Sequence, residues 1–169
     1  MKKINVLLLT IMLAVGAQSM VQAQSKVAHI NTTDLVSVMP EMKAAEGQLE
    51  KLQKTYDTEI KAMTKELQAK ITQYDAEAGN KTEEENRKRI EEVQGMQQNI
   101  GGYRQQAMQD LQQKEVDLFQ PILEKARTAI QKVARAQGFQ YVLDASQGTG
   151  VILSDGKDLL ADVKKELGI

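Results

Sequence analysis

The sequence predicts an α+β chain, mainly α, in which a long antiparallel helical hairpin projects from a small β-strand body that self-associates. Three observations carry this. Apolar residues recur at spacings of three and four along two long stretches, which share a short turn containing Gly79 and Asn80. Short β-rich segments lie only near the two ends of the remaining chain. The composition favours Gln, Lys, Glu, Ala, Leu and Met, residues that lose little on entering a helix, and aromatics make up only 4%.

The first segment reads as an address. Lys2 and Lys3 precede an apolar run from Ile4 to Val15, and small and polar residues then lead to Val21-Gln22-Ala23. This is the layout of a secretory signal, with cleavage expected after Ala23 and an apolar run too short to span a bilayer. Residues 1–23 are therefore excluded from the fold, and the mature chain is expected in the periplasm. The absence of Cys agrees with an oxidising compartment.

Val27 to Asn31 is a short strand candidate, followed by a short helix to Pro40. From there Met42, Ala45, Leu49, Leu52, Tyr56, Ile60, Met63, Leu67, Ile71 and Tyr74 form one narrow stripe, the seam of a coiled coil. A first arm from Glu41 to Ala78 would be about 57 Å long at 1.5 Å per residue. Thr82-Glu83-Glu84-Glu85 is a capping box that starts the returning helix, with a tip near 79–82. The returning stripe runs Ile90, Val93, Met96, Ile100, Tyr103, Ala107 and Leu111, then Leu118, Ile122, Ala126, Ile130 and Val133. Phe139 to Asp144 and Val151 to Leu153 read as strands with a turn at Gln147–Gly150 between them, and Asp158 to Leu167 as a closing amphipathic helix. The body is thus 24–40 with 121–169, and the arm 41–120. A body of fewer than about 70 residues is too small for a comfortable core, so self-association is expected to supply burial.

Charge and residue inventory exclude several functions. With 22 Lys plus Arg against 23 Asp plus Glu, no basic surplus exists to neutralise phosphates, so nucleic acid is not an expected partner. One His and no Cys leave no soft-ligand metal site and no thiol nucleophile. His29 reads as an ordinary strand histidine. Gly150 to Lys157 approaches a phosphate loop, but the glycine spacing is wrong and Asp158 stands where a hydroxyl should hold magnesium. Asp144 and Ser146 have no base between them and read as turn residues. Glu83, Glu84, Glu85, Glu91 and Glu92 suit a helix start better than a metal cluster. No catalytic residue, metal or cofactor is expected.

Lys26-Val27-Ala28-His29-Ile30-Asn31, the charged hairpin, Gly138-Phe139-Gln140-Tyr141-Val142-Leu143-Asp144 and the final Asp158-Leu159-Leu160-Ala161-Asp162-Val163 together resemble the OmpH family across the whole mature chain. Pro121 is similar to a proline that many of its members carry where the returning helix joins the body. The resemblance implies a homotrimer whose strands build a shared body, three arms around a cavity, and an ATP-independent holdase for unfolded outer-membrane proteins. Two positions depart from the family. Leu160 stands where Thr often caps the last helix, so either Asp158 caps it or the helix starts differently. The segment from Asp75 to Ile90 holds five acids and four bases, where family arms are basic, so direct lipid or lipopolysaccharide binding is not expected.

Within that frame the client-contact candidates are Met42, Met63, Met96, Ile100, Tyr103 and Met108, since methionine adapts to many apolar partners, although the same residues suit seam packing. Gly95, Gly101 and Gly102 interrupt strong helix formers and read either as a hinge or as a site of close helix packing. The other function class open to this pattern is a structural envelope protein that uses the hairpin as a spacer or docking surface for a folded partner.

Overall fold

A computed structural model describes residues 26–169; the expected signal segment and its cleavage site lie outside the described residues. Element order is β1 (Val27–Ile30), α1 (Thr32–Ser37), α2 (Pro40–Glu77), a single 3-10 turn (Ala78–Asn80), α3 (Glu83–Ala136), β2 (Tyr141–Asp144), β3 (Lys157–Asp158) and α4 (Leu160–Leu167). The hairpin predicted from spacing is present, with α2 of 38 residues and α3 of 54.

Local chemistry sets the helix boundaries. Pro40 opens α2 at the position where a missing amide hydrogen costs nothing. At the tip, the Thr82 hydroxyl accepts from the Glu85 amide at 3.2 Å and the Glu85 carboxylate accepts from the Thr82 amide at 2.9 Å, so the capping box is complete. Asn86 Nδ2 donates to the Ala78 carbonyl at 3.0 Å and ties the turn to the first turn of α3. Helix α3 continues through Pro121, which lacks the amide that would bond four residues back. The last helix has Leu159 at its cap position and no capping side chain there, while the Asp158 carboxylate one residue earlier accepts from the Leu160 amide at 2.8 Å.

Strand order is β2-β1-β3, and both pairings are parallel. This corrects the expectation for Val151 to Leu153, which is not a strand. The Gln147–Gly150 turn exists, with Gly148 and Gly150 at positive φ, but parallel strands cannot be joined by a tight turn. The chain instead crosses over β1 and pairs Lys157–Asp158 with its far edge. Both edges of β1 are then occupied within the protomer. Ile152 is left 99% exposed.

The body core gathers Ile30, Leu35, Met39, Leu159 and Val163, all fully buried, against Ile122, Ala126, Ala129 and Val133 of α3. It reaches into the base of the arm through Met42 and Ala45. The end of β2 is pinned to α1 by polar bonds: Asp144 accepts from the Thr32 hydroxyl and the Ser146 hydroxyl, both at 2.6 Å. Burial alone would raise the Asp144 carboxyl, but the hydrogen bonds from Ser146 and Thr32 outweigh it and hold the group below the usual carboxylate range. The pair read as turn residues therefore acts as a fastener between strand and helix.

Among the described residues, only one face of the sheet is covered. Ala28 and Ile30 point into the core, whereas Val27, Tyr141 and Leu143 are exposed, and the register Val27 to Tyr141 and His29 to Leu143 puts them on one face. Parallel sheets normally have both faces covered. The described residues leave this one open on one side.

Candidate functional site

The arm holds together through a half-buried apolar seam and polar clasps across it. At its base Lys125 bonds Glu41. Midway, the Tyr56 hydroxyl donates to Asp110, the Tyr103 hydroxyl donates to Glu59, and the two rings meet edge to face at 5.9 Å. Nearer the tip, Tyr74 donates to Glu92, which also pairs with Lys70 at 2.8 Å. The Arg89 guanidinium lies 4.5 Å from the Tyr74 ring centre and pairs with Glu77. Sequence reasoning counted these tyrosines as seam hydrophobes and missed their second role. The available clue was an acid beside each seam position of the opposite helix: Asp110, Glu92 and Glu59.

These clasps have electrostatic consequences. Hydrogen bonds from Lys70 and Tyr74 hold the Glu92 carboxyl low, and bonds from Gln73 and then Arg89 do the same for Glu77. The carboxylate of Glu59 beside Tyr103 pushes that phenol up to about 12.

The predicted contact residues are not equivalent. Met42 and Ile100 are buried within the protomer, Met63, Met96 and Tyr103 are half-buried in the seam, and Met108 is 63% exposed. Gly95, Gly101 and Gly102 all lie inside the unbroken α3, and a Cβ built on any of them meets nothing within 4 Å. Close packing of the two helices is therefore not what requires glycine there.

Two open grooves accompany the arm. One, of about 860 Å³, runs along the body beneath β2 and is lined by Phe119, Leu123, Ile130, Phe139 and Val142, with Arg127 and Arg135 at its side. The other, of about 460 Å³, lies between α2 and α3 near the tip, and Ile71, Tyr74, Ile90 and Val93 provide its apolar lining. Among the described residues, no group of three or more His, Cys, Asp or Glu gathers at metal-binding distance, and no helix is long and apolar enough to cross a membrane.

A small α+β body bearing one antiparallel coiled-coil arm is a binding architecture: its conspicuous surfaces are grooves and apolar patches. The model of the family described as outer membrane protein (OmpH-like) matches residues 26–167, and the chain belongs to that family. Relatives named chaperone protein Skp include those of Pectobacterium atrosepticum, 25% identical over 155 residues covering 92% of this chain and 93% of the relative. The Skp of Yersinia enterocolitica is 28% identical over 156 residues, again covering 92% and 93%. The fold also matches the crystal structure of a putative OmpH-like outer membrane chaperone from Caulobacter crescentus, with a TM-score of 0.76 at 17% identity over 87% of each chain.

The carboxyl shifts predict the pH profile of the fold. Glu92 and Glu77 are depressed below 4.5, so their contribution is present above that value and is lost as pH falls through their folded pKa. Tyr103 is raised from 10.0 to about 12, so its contribution is present below pH 10 and is lost as pH rises toward 12. Thermal melts followed by circular dichroism should give a plateau between about pH 5 and 9, with a fall on each side. Glu59→Gln should weaken the alkaline fall.

Proposed function

We propose that the protein is an ATP-independent periplasmic holdase that keeps unfolded outer-membrane proteins soluble in a space enclosed by the arms of a homotrimer. The single observation that carries the reading is the arm itself, on a chain of this family. It is long, its seam is narrow and half-buried, and the pairing of Arg89 with Glu77, Lys88 with Glu84 and Lys81 with Glu85 leaves its end without strong net charge. A client held by such a surface meets small apolar patches and mixed charges, so each contact is weak and exchanges easily. Without nucleotide, release follows mass action as a competing sink takes the client.

Self-association supports the enclosure. The uncovered sheet face at Val27, Tyr141 and Leu143, the exposed Ile152 and Leu153, and the apolar body groove are apolar surfaces that burial against another copy would stabilise. Copies of the body packed through these surfaces would fix the arms side by side. Met63, Met96, Tyr103 and Met108 are the proposed client contacts, whereas the buried Met42 and Ile100 serve packing. Gly95, Gly101 and Gly102 are proposed as a hinge that lets the arms splay around clients of different size.

The direct test dilutes a urea-unfolded outer-membrane barrel into buffer and follows light scattering. The mature protein should suppress aggregation near one trimer per barrel, equally with and without ATP and magnesium. Suppression that requires nucleotide, or binding confined to one folded partner, would contradict the reading.

For the hinge, replacing all three glycines with Ala should raise arm stability by on the order of 2.5 to 3 kcal/mol. It should also narrow the tip-to-tip distances reported by spin labels at Asn80. Unchanged distance distributions would remove the hinge.

A further inference from the structure

We propose that the groove near the end of each arm is a docking site for one apolar stretch of non-native polypeptide, whose side chains pack on Ile71, Ile90 and Val93 and whose backbone carbonyl accepts from Arg89. The proposal rests on the holdase reading and moves a share of client binding from the cavity wall to the arm ends.

The groove is built, not incidental. Its volume of about 460 Å³ lies in the range of about 300–1,000 Å³ usual for ligand sites. Ile90 is 58% exposed on it, in a part of α3 otherwise rich in charged residues. Arg89 is held from two sides, with Nη2 bonded to Glu77 and the guanidinium stacked on Tyr74, yet its Nη1 is buried with no hydrogen-bond partner. A buried donor without an acceptor is an unfavourable arrangement that an incoming carbonyl relieves after a small turn of the guanidinium.

The lining also selects the occupant. Its only charged residues are Asp75 and Arg89, so the groove carries no net charge to attract an anionic headgroup. Gln94 and Gln97 add neutral carboxamides, each able to donate and accept, which match the amide and carbonyl groups of an extended chain. A second arm end would bring the same Asp75 and Arg89, with most of its backbone already bonded within its helices. An unfolded polypeptide offers apolar side chains and unsatisfied backbone groups together.

The absence of cysteine makes a clean test possible in the full mature protein. Gln94→Cys, labelled with an environment-sensitive dye, should shift to the blue when a urea-unfolded outer-membrane barrel is diluted in, and not with the folded barrel. The same label at Lys61→Cys, outside the groove on α2, should stay unchanged. Ile90→Asn should weaken binding of the unfolded barrel roughly tenfold, while Val116→Asn, which removes a comparably exposed residue of α3 outside the groove, should leave it unchanged.

Full affinity in Ile90→Asn, or no dye response to the unfolded barrel, would overturn the arm-end site and leave the holdase reading standing. A dye response to phosphatidylglycerol vesicles alone, or to protein concentration alone, would overturn it in favour of lipid or of a second copy. If the unaltered protein fails to keep the barrel soluble, the holdase reading falls and takes this site with it.

Discussion

Three short parallel strands cannot cover their own apolar surface, and the organisation of the molecule follows from that constraint. Strand β1 spends both edges on β2 and β3, and one face on the core formed by Leu35, Leu159, Val163 and the end of α3. Among the described residues nothing covers the other face at Val27, Tyr141 and Leu143. In the proposed assembly a second copy supplies that layer, which is how a body of this size becomes a fixed base for long arms.

The arm obeys a different rule. Two helices with a narrow seam bury little per residue, so most seam positions are half-exposed, and the pair is registered by bonds from Tyr56 to Asp110, Tyr103 to Glu59 and Tyr74 to Glu92. Each is a modest contribution on a solvated surface, but their spacing along the hairpin opposes sliding of one helix past the other. Because α3 runs unbroken from the tip into the body core, the direction in which the arm leaves the body is set where Ile122, Ala126 and Val133 pack. Body packing and the direction of the arm at its base are therefore one property.

The parts of this fold governed by local chemistry were legible in the sequence. Spacings of three and four placed both ends of the first long helix within a residue of those observed, and the Thr82 box that starts the second needed only neighbouring residues. What depended on distant parts was not legible. Val151 to Leu153 has strand-forming side chains, but the crossover gave β1's far edge to Lys157–Asp158 instead. Likewise the seam pattern could not separate Met42 and Ile100, which the fold buries, from Met108, which it leaves in water. The glycines were ambiguous until the open space around their backbone removed close packing as a reason. The groove at Arg89 was also hidden, because an unpartnered Nη1 exists only once Tyr74 and Glu77 have been brought around it.

The central claim, that the body needs other copies of itself to complete its core, is tested most directly by the melting temperature of the mature protein as a function of concentration. If association supplies the missing layer, unfolding is coupled to dissociation, and the melting temperature rises steadily between about 1 and 100 μM protein. A melting temperature independent of concentration, with the mass of a monomer by light scattering at each point, would contradict the account.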